Sequence, residues 1–508
     1  MADSECDSLD INNIGQIQNV GYVLAIDKKY MKICHVSSNM CDLPLSVLNE
    51  NAADFIDMDL SSCFLSEAYE HVHSMVKTLK LSEKNDTYFI FEEKTYFLTV
   101  TDTSSEYVIE IVNTEIDYNN FPSIFSKTMG GIVTCNSKEE LFENISSLMM
   151  EYTEYQRLIM YEFNLDFSGK VVNEWINPNI RGRIDEFIDL TFPASDMPLP
   201  ARRMYSIRPI RIIYDTSSEI VEILGRSPLN MSKLITRGVH KVHLEYTKNM
   251  GIKSSMSIGI FKDDGNLDSI VSAHSYDYVV KPTSIIFTIL ESMSKPFSQT
   301  LSRFKKDEFS KLELYLNLSL NKFSLDMDLL AYISEHHMKL MEITNTDCIS
   351  LLEEGIDPIS YGDIELLNPE NDLVQIKLLE DDFLGYIEEP FRGVIYVVYD
   401  KKTLVFFRNP KTIETKWGGD PNYVKKRDNN GCLIARKSFE RHVTREHKVI
   451  PWTNNDEKCA SIIYDRIVML SELNNHINLH KVLNKRISKS IMSLTSLTPE
   501  KANKRFSM

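Results

Sequence analysis

Short runs of aromatic and β-branched residues, broken by polar turns, fill the first 120 or so positions of the chain. Tyr22–Lys28 and Met31–Ser37 read as two strands meeting at an Asp27-Lys28-Lys29 turn. Tyr88–Phe91, Thr95–Val100 and Tyr107–Val112 read as further strands of one antiparallel sheet. From about residue 125 two periods mix. Leu141–Tyr152 has helical spacing, and strands are predicted at Leu158–Phe163, Val171–Trp175, Ser255–Phe261 and Ser269–Ser275. A helical stretch then runs from about Ser284 toward Leu320, and Pro296 inside it predicts an interruption or kink. A third unit repeats the theme, with a helix at Met327–Glu342 and strands at Val394–Tyr399 and Thr403–Arg408. A long helix follows from Asp456 to about Ile491, in which Ile463, Leu470 and Ile477 stand seven apart. Between them Asn409–Trp452 is polar and turn-rich, with Gly418-Gly419 and Asn429-Asn430-Gly431, and a loop this long in a compact domain is functional or disordered.

Length and charge narrow the class. At 508 residues the chain should hold several domains, because single cores stop growing near roughly 250–300 residues. A net charge of −17 argues against a nucleic-acid or anionic-membrane partner. No apolar run reaches the roughly 18 residues of a membrane span. The acidic start MADSECDSLD resembles neither a secretory signal nor a transit peptide. Eight cysteines (Cys6, Cys34, Cys41, Cys63, Cys135, Cys348, Cys432 and Cys459) form no CxxC pair or zinc-spaced cluster. No metal site is expected, and scattered single thiols suit a reducing cytosol. The seven basic side chains from Lys481 onward stand against Glu500 alone, so the last residues should be a solvated tail.

Candidate chemistry concentrates in the middle of the chain. In Phe192-Pro-Ala-Ser-Asp-Met-Pro the prolines exclude a regular helix or strand and hold Asp196 in a rigid turn. Arg211 and Arg237 follow, then Val242-His-Leu-Glu-Tyr-Thr-Lys-Asn-Met-Gly with His243 and Tyr246, the alternating Ser255 and Ser257, and His274 in an apolar strand. Each has a bland reading alone: a core histidine, a surface salt-bridge arginine, a helix with a tyrosine. Together, one Asp, two Arg, two His and two Ser suit a ligand with apolar rings, ring N–H donors and carboxylates.

The PASDMP, HLEYTKNMG and SAHS segments, in that order, closely resemble the chromophore-binding domain of phytochromes. The likeness extends to both sides. Cys6 followed nine residues later by Gly15-Gln-Ile-Gln resembles the N-terminal segment of bacterial-type phytochromes, and Trp417-Gly-Gly with Ala435-Arg-Lys-Ser-Phe resembles their hairpin tongue. The resemblance implies an α+β chain of three tandem domains with central antiparallel sheets, joined by long helices. These are a PAS-like domain over 1–125, a GAF-like domain over 126–305 and a PHY-like domain over 306–491. The tongue falls at about 409–452 and the basic tail at 492–508. The N-terminal segment would be knotted through the GAF-like domain, with Ile17 in the knot.

The same resemblance implies a red/far-red photoreceptor module, itself no enzyme, carrying biliverdin on Cys6 through a thioether. Val242 stands where plant relatives carry their attachment cysteine. Asp196 and His243 would meet the pyrrole nitrogens, Arg211 and Arg237 one propionate, Ser255 and Ser257 the other, and His274 the carbonyl of the fourth ring. Tyr161, Phe192, Tyr205 and Tyr246 would line the space in which that ring turns. Arg436 would hold Asp196 in the dark, and Ser438 would replace it after the tongue refolds. A parallel homodimer through helices at about 298–322 and 456–491 is expected. Departures fall at Asn19-Val20, Ser275, Ala435 and His442, and Ile176–Leu190 is about four residues longer than the family leads one to expect. Two rivals stay open: a light-regulated histidine kinase or cyclase whose catalytic part lies beyond this chain, and a bilin scaffold that does not switch.

Overall fold

Asp27 explains why the first two strands turn where they do. Its carboxylate accepts the N–H groups of Lys29 and Tyr30, both at 2.8 Å, and Met31 closes the turn at φ +54°. The computed structural model describes residues 11–47, 51–79, 84–114, 121–164, 166–281, 284–320, 329–353, 355–362, 384–386, 394–399, 402–423, 427, 434–450, 452 and 454–495. Contacts divide the chain into two units. One runs up to Phe304 and includes Thr415–Thr444; the other comprises Lys305–Glu414 and the chain from Arg445.

The first unit begins with β1 (Gln16–Gln18), β2 (Gly21–Asp27), β3 (Ile33–Ser37), α1 (Ser66–Thr78), β4 (Lys84–Phe91), β5 (Lys94–Asp102) and β6 (Glu106–Thr114). It continues with α2 (Phe121–Val133), α3 (Lys138–Tyr152), β7 (Arg157–Phe163), β8 (Gly169–Ile176), β9 (Thr191–Phe192), α4 (Leu199–Ile207), β10 (Ile210–Ile213), β11 (Ile220–Gly225), α5 (Lys241–Asn249), β12 (Ser254–Phe261), β13 (Leu267–Ser275) and α6 (Ser284–Leu320). Ser137 caps α3 by accepting the Glu140 N–H, while the Glu140 carboxylate reaches back to the Asn136 N–H.

Two sheets organise this unit. The first has the order β1-β11-β3-β2-β6-β5-β4, so a strand from residues 220–225 completes a sheet otherwise built before residue 115. That strand pairs with β1 (Ile17↔Val221) and with β3 (Ile223↔Ser37). On its other side β1, with the residues just before it, bonds to residues 231–238: Gln18 N–H to Thr236 O at 2.7 Å, Gly238 N–H to Gln16 O at 2.8 Å, and Met231 N–H to Asn12 O at 2.9 Å. The N-terminal segment is thus held on both sides, as a threaded segment would be. Ile17 is wholly buried, with Val23, Val221, Leu229, Met231 and Leu234 around it.

The second sheet runs β10-β12-β13-β7-β8-β9-β19-β20, where β19 is Lys411–Gly418 and β20 is Arg441–Lys448. All its pairings described from β10 to β9 are antiparallel, and β9 meets β19 in parallel at Thr191↔Trp417. Strand alternation decides its two faces. Met256, Ile258 and Ile260 of β12 and Val271 and Ala273 of β13 enter a core shared with Phe142, Ile145, Phe287, Leu290 and Phe297 from the helices. The intervening polar residues face the other way, where the site lies. Helix α6 is not interrupted at Pro296. A proline inside a helix, which loses a hydrogen bond and crowds the preceding turn, costs about 3 kcal/mol, and burial of Met293, Phe297, Leu301 and Phe304 along this helix offsets it.

The second unit holds α7 (Leu329–Thr344), β14 (Cys348–Glu353), β15 (Ile356–Gly362), β16 (Leu384–Tyr386), β17 (Val394–Tyr399), β18 (Lys402–Phe407) and α8 (Asn454–Thr495). Its sheet order is β15-β14-β18-β17-β16, with every described pair antiparallel. Tyr332, Ile333, Leu340, Ile349, Leu404 and Phe406 pack with Cys459 and Ile463 of α8. Ile463 therefore serves this core, and the exposed apolar residues of α8 lie beyond it, at Leu473, Leu479, Val482, Leu483 and Ile487. The stretch 409–452 is not loop throughout: β19 and β20 occupy its ends, and Trp417 Nε1 donates to Thr444 Oγ1 at 2.9 Å. Asn429-Asn430-Gly431 lies outside the described residues. Among the described residues no helix is long and apolar enough to cross a membrane.

Candidate functional site

A cleft in the first unit runs along the polar face of β12 and β13, in two adjoining lobes of about 1150 and 760 Å³, mouth included. The lobes share Asp196, Met197, Tyr205, His243, Tyr246, Ser255 and Ser257. Period-two alternation builds this wall. Arg211 of β10 lies across from Ser257 and Ser257 across from Ser272, while Ser255 lies across from His274. Two glycines make room for aromatics. A Cβ at Gly169 would fall 1.9 Å from the Tyr161 ring, and one at Gly259 would fall 3.0 Å from Tyr205. Tyr205 is then fixed by a 2.7 Å hydrogen bond between its hydroxyl and that of Ser257.

One lobe is unusual in charge. Arg211 and Arg237 both line it, and no carboxylate among the described residues forms an ion pair with either. Arg211 donates to the Ser232 carbonyl (3.2 Å) and Arg237 to the Ile11 carbonyl (2.7 Å), but the Nε atoms of both are buried without a partner. Burial, and for Arg211 also the neighbouring Arg237, pushes the two guanidiniums down to about 9 and about 10. Both remain charged at neutral pH. Two half-buried cations with buried, orphaned Nε donors beside Ser255 and Ser257 fit a ligand bearing carboxylates.

Asp196 sits in the 3₁₀ turn Ala194–Asp196, between β9 and α4. Its Oδ2 accepts the Tyr246 hydroxyl at 3.0 Å and Arg436 Nη2 at 2.7 Å. The pair is buried, with side-chain exposures of 8% for Asp196 and 3% for Arg436. Burial and the Asp196 charge push the Tyr246 phenol well up, so it stays protonated and donates. Arg436 Nη2 also donates to the Gly418 carbonyl at 2.8 Å, and its guanidinium lies 4.8 Å from the Phe439 ring centre. Helix α5 binds the same stretch through Asn249, which donates to the Arg436 carbonyl (3.0 Å), and Glu245, which accepts the Ala435 N–H (3.3 Å). Val242 and Ala435 pack together. The His243 and Tyr246 rings stack at 6.2 Å and 10°.

His274 is buried at the other lobe, with its Nδ1 unpartnered. Burial first, then the Arg157 charge, pushes it down to about 3, so the imidazole is neutral at physiological pH. The unfolded chain takes up this proton near pH 6.5 and the folded chain only near 3, so folding loses stability as pH falls through that window. The loss is at most about 1.4 kcal/mol per pH unit. His274→Gln in pigment-free protein should flatten that part of the acid limb, measured by thermal unfolding at pH 7, 5.5 and 4.5. An unchanged pH slope would show that His274 titrates normally.

The fold brings Asp196, Arg211, Arg237, His243, Tyr246, Ser255, Ser257, His274, Tyr161, Phe192 and Tyr205 to this one cleft, with Arg436 at its edge. Ile17 lies behind it, bridged to Arg237 rather than lining the space. Ser438 is exposed, its hydroxyl accepting the Glu440 N–H. Cys6 lies outside the described residues. Sequence reasoning missed Glu245 and Asn249, although their i, i+4 spacing beside Tyr246 marks one helix face. It also missed Ile11 and Phe187, which line the cleft. A lone residue in a loop carries no such signal.

Known proteins share this organisation. A family model described as "Phytochrome region" matches residues 389–475 and one described as "PAS fold" matches residues 6–111. Cyanobacterial phytochrome A of Nostoc sp. is 23% identical over 84% of this chain and 59% of its own length. A bacteriophytochrome of Pseudomonas aeruginosa is 25% identical over 63% of this chain and 47% of its own. The chain spans about half to three fifths of the length of these relatives. Among solved structures, a bacteriophytochrome from R. palustris superposes with a TM-score of 0.78 at 20% identity, covering 92% of this chain and 98% of that one. The Stigmatella aurantiaca phytochrome photosensory core module gives 0.77, again at 20% identity with the same coverage. At such identity the superpositions establish the fold.

Proposed function

We infer that this chain belongs to the phytochrome family and is a light-sensing module holding one linear tetrapyrrole, biliverdin, in the cleft beside β12 and β13. The observation that carries the reading is the half-buried Arg211–Arg237 pair, whose Nε atoms are buried without partners and with which no carboxylate among the described residues forms an ion pair, lining the cleft beside Ser255 and Ser257. When bound, the pigment supplies red-light absorption and a double bond that isomerises. Arg211 and Arg237 would clamp one propionate, and Ser255 and Ser257 would donate to the other. Asp196, through its backbone carbonyl, and His243 would face the pyrrole N–H groups. Neutral His274 would donate to the fourth-ring carbonyl, in a space walled by Tyr161, Phe192, Tyr205 and Tyr246. Arg436 would mark the dark state and Ser438 would be its replacement after the hairpin refolds. A parallel homodimer, a cytosolic location and a kinase or cyclase output in a longer protein belong to the same proposal. Exposed Leu473, Leu483 and Ile487 on α8 support the dimer.

Cys6 would attach the pigment, its thiolate adding to a vinyl group and a proton closing the thioether. Ile11 lines the cleft, and five residues reach at most about 17–18 Å. Protein produced with biliverdin should therefore stay coloured after denaturation, and its spectrum should change under red light. Cys6→Ser should abolish co-migration of pigment with the unfolded chain. Colour that persists on denatured Cys6→Ser would move the anchor to another cysteine, and a spectrum indifferent to light would favour the non-switching scaffold.

A further inference from the structure

Beneath the His274 lobe lies a second charged cluster that the pigment-binding reading leaves without a role. Arg157, at the start of β7, is 1% exposed and pairs with Glu174 of β8, 4% exposed, at 3.1 Å. Its Nη1 donates to the Tyr276 hydroxyl at 2.6 Å, and its Nη2 to the carbonyl of Asp185. The guanidinium lies 4.0 Å from the Phe187 ring centre and 5.2 Å from that of Tyr276. Glu174 uses its second oxygen on the same loop, accepting the N–H groups of Phe187 (2.7 Å) and Ile188 (2.9 Å). One buried ion pair thus holds the loop between β8 and β9 at three points, Asp185, Phe187 and Ile188.

That loop faces two ways. Phe187 lines the His274 lobe and meets Phe192 edge-on at 5.7 Å. Phe192 in turn packs on the hairpin backbone, where a Cβ at Gly418 would fall 2.6 Å from its ring. The neighbouring Glu186 offers its carbonyl to Arg441 of β20 at 2.8 Å. The cleft wall and the hairpin's second strand therefore touch adjacent residues of one loop.

We propose that Arg157 and Glu174 are positioning residues that lock Phe187 against the His274 lobe and Glu186 against Arg441, so that this loop couples the lobe to the hairpin by a route separate from Asp196–Arg436. The role needs a fork, not merely a charge. Lysine at 157 would keep the cation beside His274 but could not hold Glu174, Tyr276 and the Asp185 carbonyl at once. Glu174→Gln would keep the loop's acceptor but lose the compensation of Arg157.

The test is amide hydrogen exchange over residues 415–418 and 434–444 in Phe187→Leu, Arg441→Ala, their double variant and Arg157→Lys, read first on pigment-free protein. Each single change should speed exchange there by about five- to tenfold. The double variant should exchange no faster than the faster single, because both act through one loop. Arg157→Lys should behave like Phe187→Leu. Normal exchange in Arg157→Lys would reduce the residue to an electrostatic role, and multiplicative effects in the double variant would break the coupling. Unchanged exchange in both Phe187→Leu and Arg441→Ala overturns the proposal even if Arg157→Lys fails to fold. The spectral arm rests on the photoreceptor reading: with biliverdin, Arg441→Ala should bind pigment as the parent does but alter the thermal return after red light by a few fold. If the parent takes up no pigment, that reading alone fails, and the exchange arm still decides the coupling.

Discussion

Arg436→Ala should undock the hairpin from the cleft and change the thermal return of the photoproduct by more than tenfold, while leaving pigment attached. The Asp196–Arg436 bond is short, charge-assisted and shielded from water. Such a bond contributes roughly 1.5–3 kcal/mol. Removing one partner of a buried pair costs more, roughly 3–5 kcal/mol, because the other charge stays behind. Here Tyr246 still donates to Asp196, which places Arg436→Ala toward the lower figure. Asp196→Ala should do more. It leaves Arg436 with only the Gly418 carbonyl as acceptor, removes the anion beside a guanidinium whose buried Nε and Nη1 already lack partners, and frees the Tyr246 hydroxyl. Hydrogen exchange over 415–444 in dark and illuminated parent protein, and in both variants, measures this directly. Protection equal in all four samples would remove the hairpin from the signalling path.

Sequence patterns located most elements of the fold because those elements obey a single period. The strands β2, β3, β5 to β8, β12 and β13 alternate or run apolar, and α3 and α8 keep helical spacing. What escaped depends on distant pairing. β11 is six residues long, and only its pairing with β1 and β3 makes it part of the first sheet. The ends of 409–452 read as loop because β19 and β20 are polar, and β19 is joined to the sheet by one described pairing, at Trp417. Ile463 matched a dimer heptad, yet it faces its own unit's core, since a seven-residue spacing cannot say which partner a stripe meets.

The site was legible for a different reason. Its residues lie in dense local motifs, so Asp196, His243, Tyr246, Ser255 and Ser257 could be named from their neighbours in sequence. Glycine's part could not. Gly418 and Gly419 are required because a Cβ would fall 2.6 Å from Phe192 at one and 2.5 Å from Arg436 at the other, and Gly419 holds φ +114°. The Arg157–Glu174 pair was equally silent. Its meaning comes from strands that cross and from a loop whose backbone it binds.

Arg211→Met should move two measurable quantities in opposite directions. In pigment-free protein Arg211 is a half-buried cation that neighbours a second one, bonds one carbonyl at 3.2 Å and leaves its buried Nε without a partner. Desolvating such an ion costs several kcal/mol, of the order recovered when buried charges give way to apolar residues, roughly 1–4 kcal/mol. Methionine fills similar volume with no charge, so the pigment-free variant should unfold at a higher temperature than the parent. Pigment binding should weaken, because a guanidinium–carboxylate contact of roughly 1.5–3 kcal/mol is lost, a factor of about 10 to 150 in affinity. Arg237→Met should give a smaller gain in stability, since Arg237 already bonds the Ile11 carbonyl at 2.7 Å and so helps hold the N-terminal segment. Thermal unfolding without pigment and equilibrium titration with biliverdin in a Cys6→Ser background separate the two effects. A variant less stable without pigment and equal in affinity would mean that Arg211 supports the fold and does not await a carboxylate. Opposite signs are what a site built for an anion demands: the charge is held at a cost in pigment-free protein, and the ligand's carboxylate relieves it.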